Sequence, residues 1–141
     1  MPRLHLKILC LMILVAIPIA AETTSGNVMI LLEQQVRSRT RLEVLPKYPR
    51  AAVKDKAHGV VVAMIEFDQK GLVAKVEIVQ SNPHFAGPTI KALKLWRFDP
   101  IATPKGEALR GRGKLTFYCY YENGTGRCEN PLIFKDGPRK L

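Results

Sequence analysis

The chain has 141 residues, a length that predicts one domain and excludes a large multi-domain protein. Its formal net charge of +10 at pH 7 favours anionic partners such as lipid headgroups or acidic proteins. The sequence has only three histidines and shows no nucleophile–base set, metal-ligand spacing or phosphate-binding loop. We therefore expect neither an enzyme nor a protein with a cofactor or a metal.

The first 21 residues have the pattern of a secretory signal peptide. Arg3 and Lys7 give a positive start, residues 8–19 are uncharged and apolar, and two alanines before Glu22 resemble a cleavage site. The apolar run over 8–21 is 14 residues long, which is short against the roughly 20 that span a bilayer. We expect export and cleavage, which leaves a net charge of +8. An uncleaved inner-membrane anchor is the alternative, and nucleic acid is the least favoured partner of an exported chain.

Two helices are predicted in the first part of the exported chain. Asn27–Arg41 has apolar residues at helical spacing and is interpreted as an amphipathic helix with a basic end. The pattern leaves open whether this helix packs on the domain, lies in a partner's groove or rests on a membrane surface. Two prolines around Tyr48 then predict an extended segment, and Pro49 suits the start of a short helix over Arg50–Ala57.

A β-hairpin follows these helices. Gly59–Asp68 is rich in β-branched residues, and Leu72–Ser81 is predicted to be the returning strand. The residues of the first strand that should face the core are Val61, Ala63, Ile65 and Phe67. The opposite face, at Val60, Val62 and Met64, is unusually apolar, so we expect the N-terminal helix or another molecule to cover it.

The only tryptophan marks the end of a longer helix. Pro88 is predicted to be the first residue of this helix, and Pro100 biases Asp99 away from the helical conformation. Trp96 is interpreted as a buried core anchor, with ligand stacking as the alternative. The other predicted anchors of the core are Tyr48, Pro49, Phe98 and Pro100.

The C-terminal part is predicted to be a hairpin closed by a disulfide. Residues 102–112 are interpreted as a basic loop, to which Gly106, Gly111 and Gly113 give flexibility, and Gly113–Tyr121 as a strand. The Asn-Gly pair that follows is a strong two-residue turn, which places Cys119 opposite Cys128 at a non-hydrogen-bonded position. In an exported protein these thiols should form a disulfide that attaches a short strand, about Gly126–Phe134. Free buried thiols are the alternative.

Several of these segments together resemble the C-terminal domain of the TonB family. The resemblance covers about residues 46–121, and the pieces occur in the family's order and spacing. They are Tyr48-Pro49-Arg50-Ala51-Ala52, Gly59-Val60-Val61-Val62, Phe67-Asp68 with Gly71, Val76-Glu77-Ile78-Val79-Gln80-Ser81, and Ala92 with Trp96-Arg97-Phe98-Asp99-Pro100. The Tyr-Pro start, the hairpin glycines and the Trp-Arg-Phe-x-Pro end are jointly specific.

The resemblance implies an α+β fold. Its small antiparallel β-sheet has a β-hairpin, a helix and a strand, here with an extra C-terminal hairpin strand, and its helices pack on one face. The resemblance also implies a bacterial periplasmic domain that binds envelope proteins, among them TonB-dependent outer-membrane receptors. A receptor segment adds as a strand beside the last family strand, so we predict docking along Leu115–Tyr121. The candidate contact residues are Leu115, Phe117, Tyr118, Tyr120, Tyr121, Arg97, Arg110 and Arg112.

The sequence also departs from the family's energy transducers. The apolar N-terminal run lacks a histidine, no long proline-rich spacer is present, and the extra hairpin strand would occupy the docking edge. We therefore predict a non-enzymatic periplasmic protein-binding module. An anchored energy transducer for outer-membrane transport and a basic adaptor for anionic envelope surfaces are the alternatives, and membrane contact without spanning and self-association stay open. The predicted parts are a signal peptide (1–21), an N-terminal helical segment (22–45), the TonB-like domain with its added hairpin (46–134) and a basic tail (135–141).

Overall fold

The computed structural model describes residues 27–131. Within that range the helices are α1 (Glu33–Ser38), α2 (Arg50–Lys54) and α3 (Pro83–Leu93). The strands are β1 (Val28–Leu31), β2 (Thr40–Leu42), β3 (Gly59–Phe67), β4 (Val73–Gln80), β5 (Arg97–Phe98), β6 (Ile101–Ala102), β7 (Ala108–Glu122) and β8 (Thr125–Glu129). The predicted signal peptide, the basic tail and the end of the last predicted strand lie outside the described residues.

Strands β3 and β7 form the centre of the sheet. β3 pairs antiparallel with both β4 and β7, and the strand order is β1-β7-β3-β4. β6 and β8 also pair antiparallel with β7, whereas β1 pairs with it in parallel. A separate two-stranded ladder joins β2 to β5. The α+β fold is thus as predicted, with β1 as the one parallel strand in a mostly antiparallel sheet of the described residues.

One face of the sheet carries the core. Every second side chain of β3 is fully buried on this face, namely those of Val61, Ala63, Ile65 and Phe67. Val36 of α1, Ala52 of α2 and Leu93 of α3 belong to the same buried cluster, so the helices pack on this side. The apolar residues on the opposite face of β3 stay partly exposed, and α1 does not cover them because its buried residue points into the core.

The prediction of one helix over Asn27–Arg41 is wrong. The segment forms β1, the six-residue α1 and β2 instead. Residues 28–31 are four consecutive apolar residues, a run that satisfies a helical stripe and a strand equally well, and here they pair with β7. The helix starts only after Leu32, whose backbone N–H donates to the side chain of Gln35 at 2.9 Å.

Helix α3 begins at Pro83, and the prediction of Pro88 as its first residue is wrong. The side chain of Asn82 accepts the backbone N–H of His84 at 3.0 Å and caps the helix, with Pro83 in the first turn. Pro88 lies inside the helix. Both prolines could start a helix, but only the earlier one is preceded by a residue whose side chain can accept a backbone N–H of the first turn.

Much of the predicted basic loop over 102–112 is strand. The turn between β6 and β7 lies near Gly106, whose φ is 85°, and β7 runs for 15 residues from Ala108. Gly111 and Gly113 occupy buried positions of β7, where an added Cβ would overlap the ring of Phe67 and a methyl group of α1. These two glycines allow close packing, so the prediction that they give flexibility is wrong.

The chain leaves α3 through two aromatic residues of the core. Trp96 is fully buried and donates its Nε1–H to the carbonyl of Val44 at 2.8 Å. Its ring meets that of Phe117 edge-on with 6.0 Å between centroids, and Phe98 stacks on Phe67 at 4.5 Å. These contacts fix both β5 and the segment before α2 to the sheet.

The other predicted anchors are less buried. Tyr48 is half-buried, and its hydroxyl donates to the carbonyl of Ala57 at 2.6 Å. Burial, and after it the nearby Tyr121, raises the pKa of the Tyr48 hydroxyl above 10.0, so this group stays a protonated donor at neutral pH. Pro49 is half-buried immediately before α2, and Pro100 is exposed.

Candidate docking site

Docking along the last family strand requires a free edge of β7. One edge of β7 pairs with β3 over residues 111–119. The other edge receives β1 over residues 110–113 and β8 over residues 118–122. Between these two ladders, residues 114–117 have no strand partner on this edge in the described part of the chain.

An ion pair from α1 covers this gap. The Oε1 atom of Glu33 accepts the backbone N–H of Thr116 at 2.7 Å, and Nη2 of Arg37 donates to the Thr116 carbonyl at 2.6 Å. The two side chains are joined to each other at 2.9 Å and are largely buried. They therefore bind the main-chain groups that an added strand would use. The Arg37 guanidinium also lies 5.5 Å from the ring centroid of Phe117.

A disulfide attaches β8 to the same edge. Cys119 and Cys128 are opposite each other in the ladder and bonded, with their Cα atoms 4.0 Å apart, which confirms the predicted bridge. Asn123 and Gly124 have φ values of 51° and 80°, as the two-residue turn requires. Residues 118–122 of β7 are therefore covered by a strand that is covalently held in place.

Three features cover this edge of β7: strand β1, the Glu33–Arg37 pair and strand β8. Of these three covers, β1 is held least firmly. Val28, Met29 and Ile30 are 40%, 39% and 73% exposed, and only Leu31 is buried. The parallel ladder between β1 and β7 has four residue pairs. The attachment of β1 therefore rests on these main-chain pairs and on one buried side chain beside Gly113.

The predicted contact residues do not form one surface. Leu115 and Phe117 are fully buried, so a partner could meet only their main chain. Four others alternate with the buried positions of β7 and lie on its opposite face: Arg110, Arg112, Tyr118 and Tyr120. Arg97 lies on β5, and the ring of Tyr121 packs 6.3 Å from that of Tyr48.

Two of these arginines form an ion-pair group beside β1. The Oε2 atom of Glu66 lies 2.9 Å from Nη2 of Arg110, and its Oε1 atom lies 3.6 Å from Nη1 of Arg112. In the parallel ladder Val28 is paired with Arg110 and Ile30 with Arg112. Two guanidinium groups with one carboxylate therefore lie opposite the exposed residues of β1.

A groove that the sequence analysis missed lies between α3 and the extended segment over 44–49. Its volume is about 410 Å³, and six of its eight lining residues are apolar or proline. The lining residues are Val44, Leu45, Lys47, Pro49, Pro88, Lys91, Ala92 and Leu95. Pro88, Lys91 and Ala92 share one side of α3, and Leu95 continues their helical spacing just beyond the end of the helix.

Metal-binding clusters of three or more ligating side chains do not occur in residues 27–131. None of the helices in this range combines the length and the apolar character that crossing a bilayer requires. His84 is paired with Asp55 at 2.9 Å near the surface, and His58 is exposed.

The described residues thus form an α+β domain, a small sheet with helices on one face, in which short segments close one edge of β7. The family model described as Gram-negative bacterial TonB protein C-terminal matches residues 44–118, and the chain belongs to this family. It is thus a TonB-like protein-interaction module. No curated protein matches the chain. The matched range ends before β8 and begins after β1, α1 and β2.

Proposed function

We propose that this protein is a non-enzymatic periplasmic binding module that receives an extended segment of an envelope protein, such as an outer-membrane receptor, beside β7. One observation carries the proposal: β1, the Glu33–Arg37 pair and β8 all cover the β7 edge from outside the family-matched residues 44–118. An open strand edge is a template for pairing with another chain. In this protein, segments of the same chain occupy that edge of β7.

Strand β1 is the cover that a partner replaces. A segment of equal length would regain the same four ladder pairs, so the exchange loses only the burial of Leu31. An aliphatic residue of the partner offsets that loss by taking the same place. Strand β8 cannot leave in this way while the Cys119–Cys128 bond is intact.

The surroundings of β1 indicate the chemistry of the partner segment. It runs parallel to β7, and the residue that replaces Leu31 is aliphatic because Gly113 and Val36 enclose that position. The residues that face Arg110 and Arg112 lie near two guanidinium groups, so acidic side chains are favoured over basic ones. The net charge of +8 that remains after the predicted cleavage attracts the same class of segment.

The test is fluorescence anisotropy with labelled peptides from the periplasm-facing segments of outer-membrane receptors. Leu31→Ala weakens β1 at its one buried residue, so the affinity for a matching peptide should rise at least about tenfold. The matched control is Ile30→Ala, which truncates a neighbouring side chain that is 73% exposed. This control should change the affinity less than about twofold.

Two results would count against the proposal. If no receptor peptide binds to the wild type or to Leu31→Ala while circular dichroism shows both folded, β7 is not a docking edge. If the affinity rises only in the Cys119→Ser/Cys128→Ser variant, docking takes place where β8 lies. The proposal expects that double variant to bind the peptides as the wild type does.

A further inference from the structure

Hydrogen bonds hold the segment over 44–49, which forms one side of the groove beside α3. The carbonyl of Val44 accepts the indole N–H of the fully buried Trp96 at 2.8 Å, which holds one wall on the core. The hydroxyl of Tyr48 donates to the carbonyl of Ala57 at 2.6 Å and holds the other end of the same segment. The groove is therefore preformed, and a ligand does not have to order it.

The lining of this groove suits an alkyl chain better than a peptide. Pro49 and Pro88 have no N–H to donate, so these two positions offer no main-chain donor to an extended peptide. Leu45 and Leu95 are 43% and 54% exposed, so their side chains leave apolar surface open to a ligand. The volume of 410 Å³ lies within the roughly 300–1,000 Å³ of small-molecule sites.

The charged groups of the groove are both positive. Lys47 and Lys91 are exposed and contribute the only ionisable side chains among the lining residues, none of which is acidic. Two ammonium groups next to apolar walls match a ligand with an anionic head and an apolar tail. They disfavour the chain's own basic tail as the occupant for the same reason.

We propose that this groove binds a single acyl chain with an anionic head, a carboxylate or a phosphate. The acyl chain lies over Ala92 between Leu45 and Leu95, and the head pairs with Lys47 or Lys91. None of these residues belongs to β7 or to its covers. The site is therefore independent of the proposed protein docking.

Isothermal titration calorimetry of the purified protein tests the proposal. The ligand concentrations stay below those at which the ligands form micelles. Dodecanoate should bind saturably with one ligand per chain, and decanoate about fifteenfold more weakly, since each buried methylene is worth about fourfold. Dodecyl phosphate should bind as well, and dodecyltrimethylammonium should not. Absence of saturable binding by both anionic ligands, or equal binding of the cationic one, would overturn the proposal.

A pair of charge-reversal variants locates the site. Lys47→Glu/Lys91→Glu should weaken dodecanoate binding at least about tenfold. Lys70→Glu/Lys105→Glu is the matched control, because it makes the same change in net charge at two exposed lysines outside the groove. The control should stay within about twofold of the wild type. An equal loss in both variants would show non-specific attraction to the basic protein and would overturn the assignment.

Discussion

Two glycines of β7 show how little space is left around single residues of the core. An added Cβ at Gly111 would overlap the ring of Phe67, which is fully buried and cannot swing away into solvent. At Gly113 it would overlap Val36 and lie 2.9 Å from the carbonyl oxygen of Leu31. A packed interior resists such an insertion because its atoms have almost no free volume to move into.

Gly111→Ala should therefore lower the free energy of unfolding by about 1–3 kcal/mol through overpacking. The matched control is Gly87→Ala in α3, where an added Cβ meets no atom of another element within 4 Å. That variant should change the free energy of unfolding by less than about 1 kcal/mol, because the higher helix preference of alanine is opposed by contact of its Cβ with the ring of Pro88. Urea unfolding measures both, and equal effects of the two substitutions would argue against a packing role for Gly111.

At the scale of elements, Glu33 and Arg37 of α1 make hydrogen bonds to the main chain of β7 that a neighbouring strand would otherwise make. Glu33→Ala leaves the Thr116 N–H without its acceptor and the largely buried Arg37 guanidinium without its nearest carboxylate. We expect this change to cost about 2–3 kcal/mol of unfolding free energy. Glu33→Ala/Arg37→Ala should cost less than the two single changes together, by about 1–2 kcal/mol, because the groups act as a unit.

The exposed pair Lys75–Glu77 is the control for this cycle. Its atoms are 3.8 Å apart and its side chains are 61% and 56% exposed. Glu77→Ala should change the unfolding free energy by less than about 0.5 kcal/mol, because solvent screens exposed pairs. Additive effects of Glu33→Ala and Arg37→Ala in chemical denaturation would show that the edge of β7 does not depend on their pairing.

The same elements show what local sequence does and does not specify. The β7–β8 hairpin was predictable because its turn and its paired cysteines lie within ten residues, and the alternation of β3 was enough to identify its buried side. Strand β1 was not predictable, because its partner lies some eighty residues away in sequence and a short apolar run fits helix and strand alike. Predicting it as strand requires knowing that β7 has a free edge.

On the scale of the whole molecule, the family resemblance was enough to predict β7 as the candidate docking strand. The resemblance could not predict the segments that cover its edge, because they lie outside the matched residues 44–118. The groove depends on a long-range contact as well, since Trp96 holds Val44 against the core from 52 residues away. The spacing of residues 88, 91 and 92 places them on one side of α3, but the sequence does not show which segment lies opposite them. Sites built from distant segments therefore required the structure.

The additions to the family domain also contribute to its stability, so a fragment limited to the matched residues 44–118 should not fold stably. This fragment lacks Leu31 and Val36, each worth about 1.5–3 kcal/mol when buried. It also lacks the Cys119–Cys128 bond, worth about 2–3 kcal/mol for so short a loop. Together these approach the whole stability of a small domain, about 5–15 kcal/mol.

Thermal unfolding followed by circular dichroism compares this fragment with the fragment 27–131. The longer fragment should unfold in one cooperative transition, because Val36, Trp96 and Cys119 belong to one buried cluster that spans the added and the matched segments. Fragment 44–131 keeps the disulfide but not β1 or α1, and its midpoint should lie between the other two. A cooperative transition of 44–118 at the midpoint of 27–131 would show that the added segments cover the docking edge without holding the domain together.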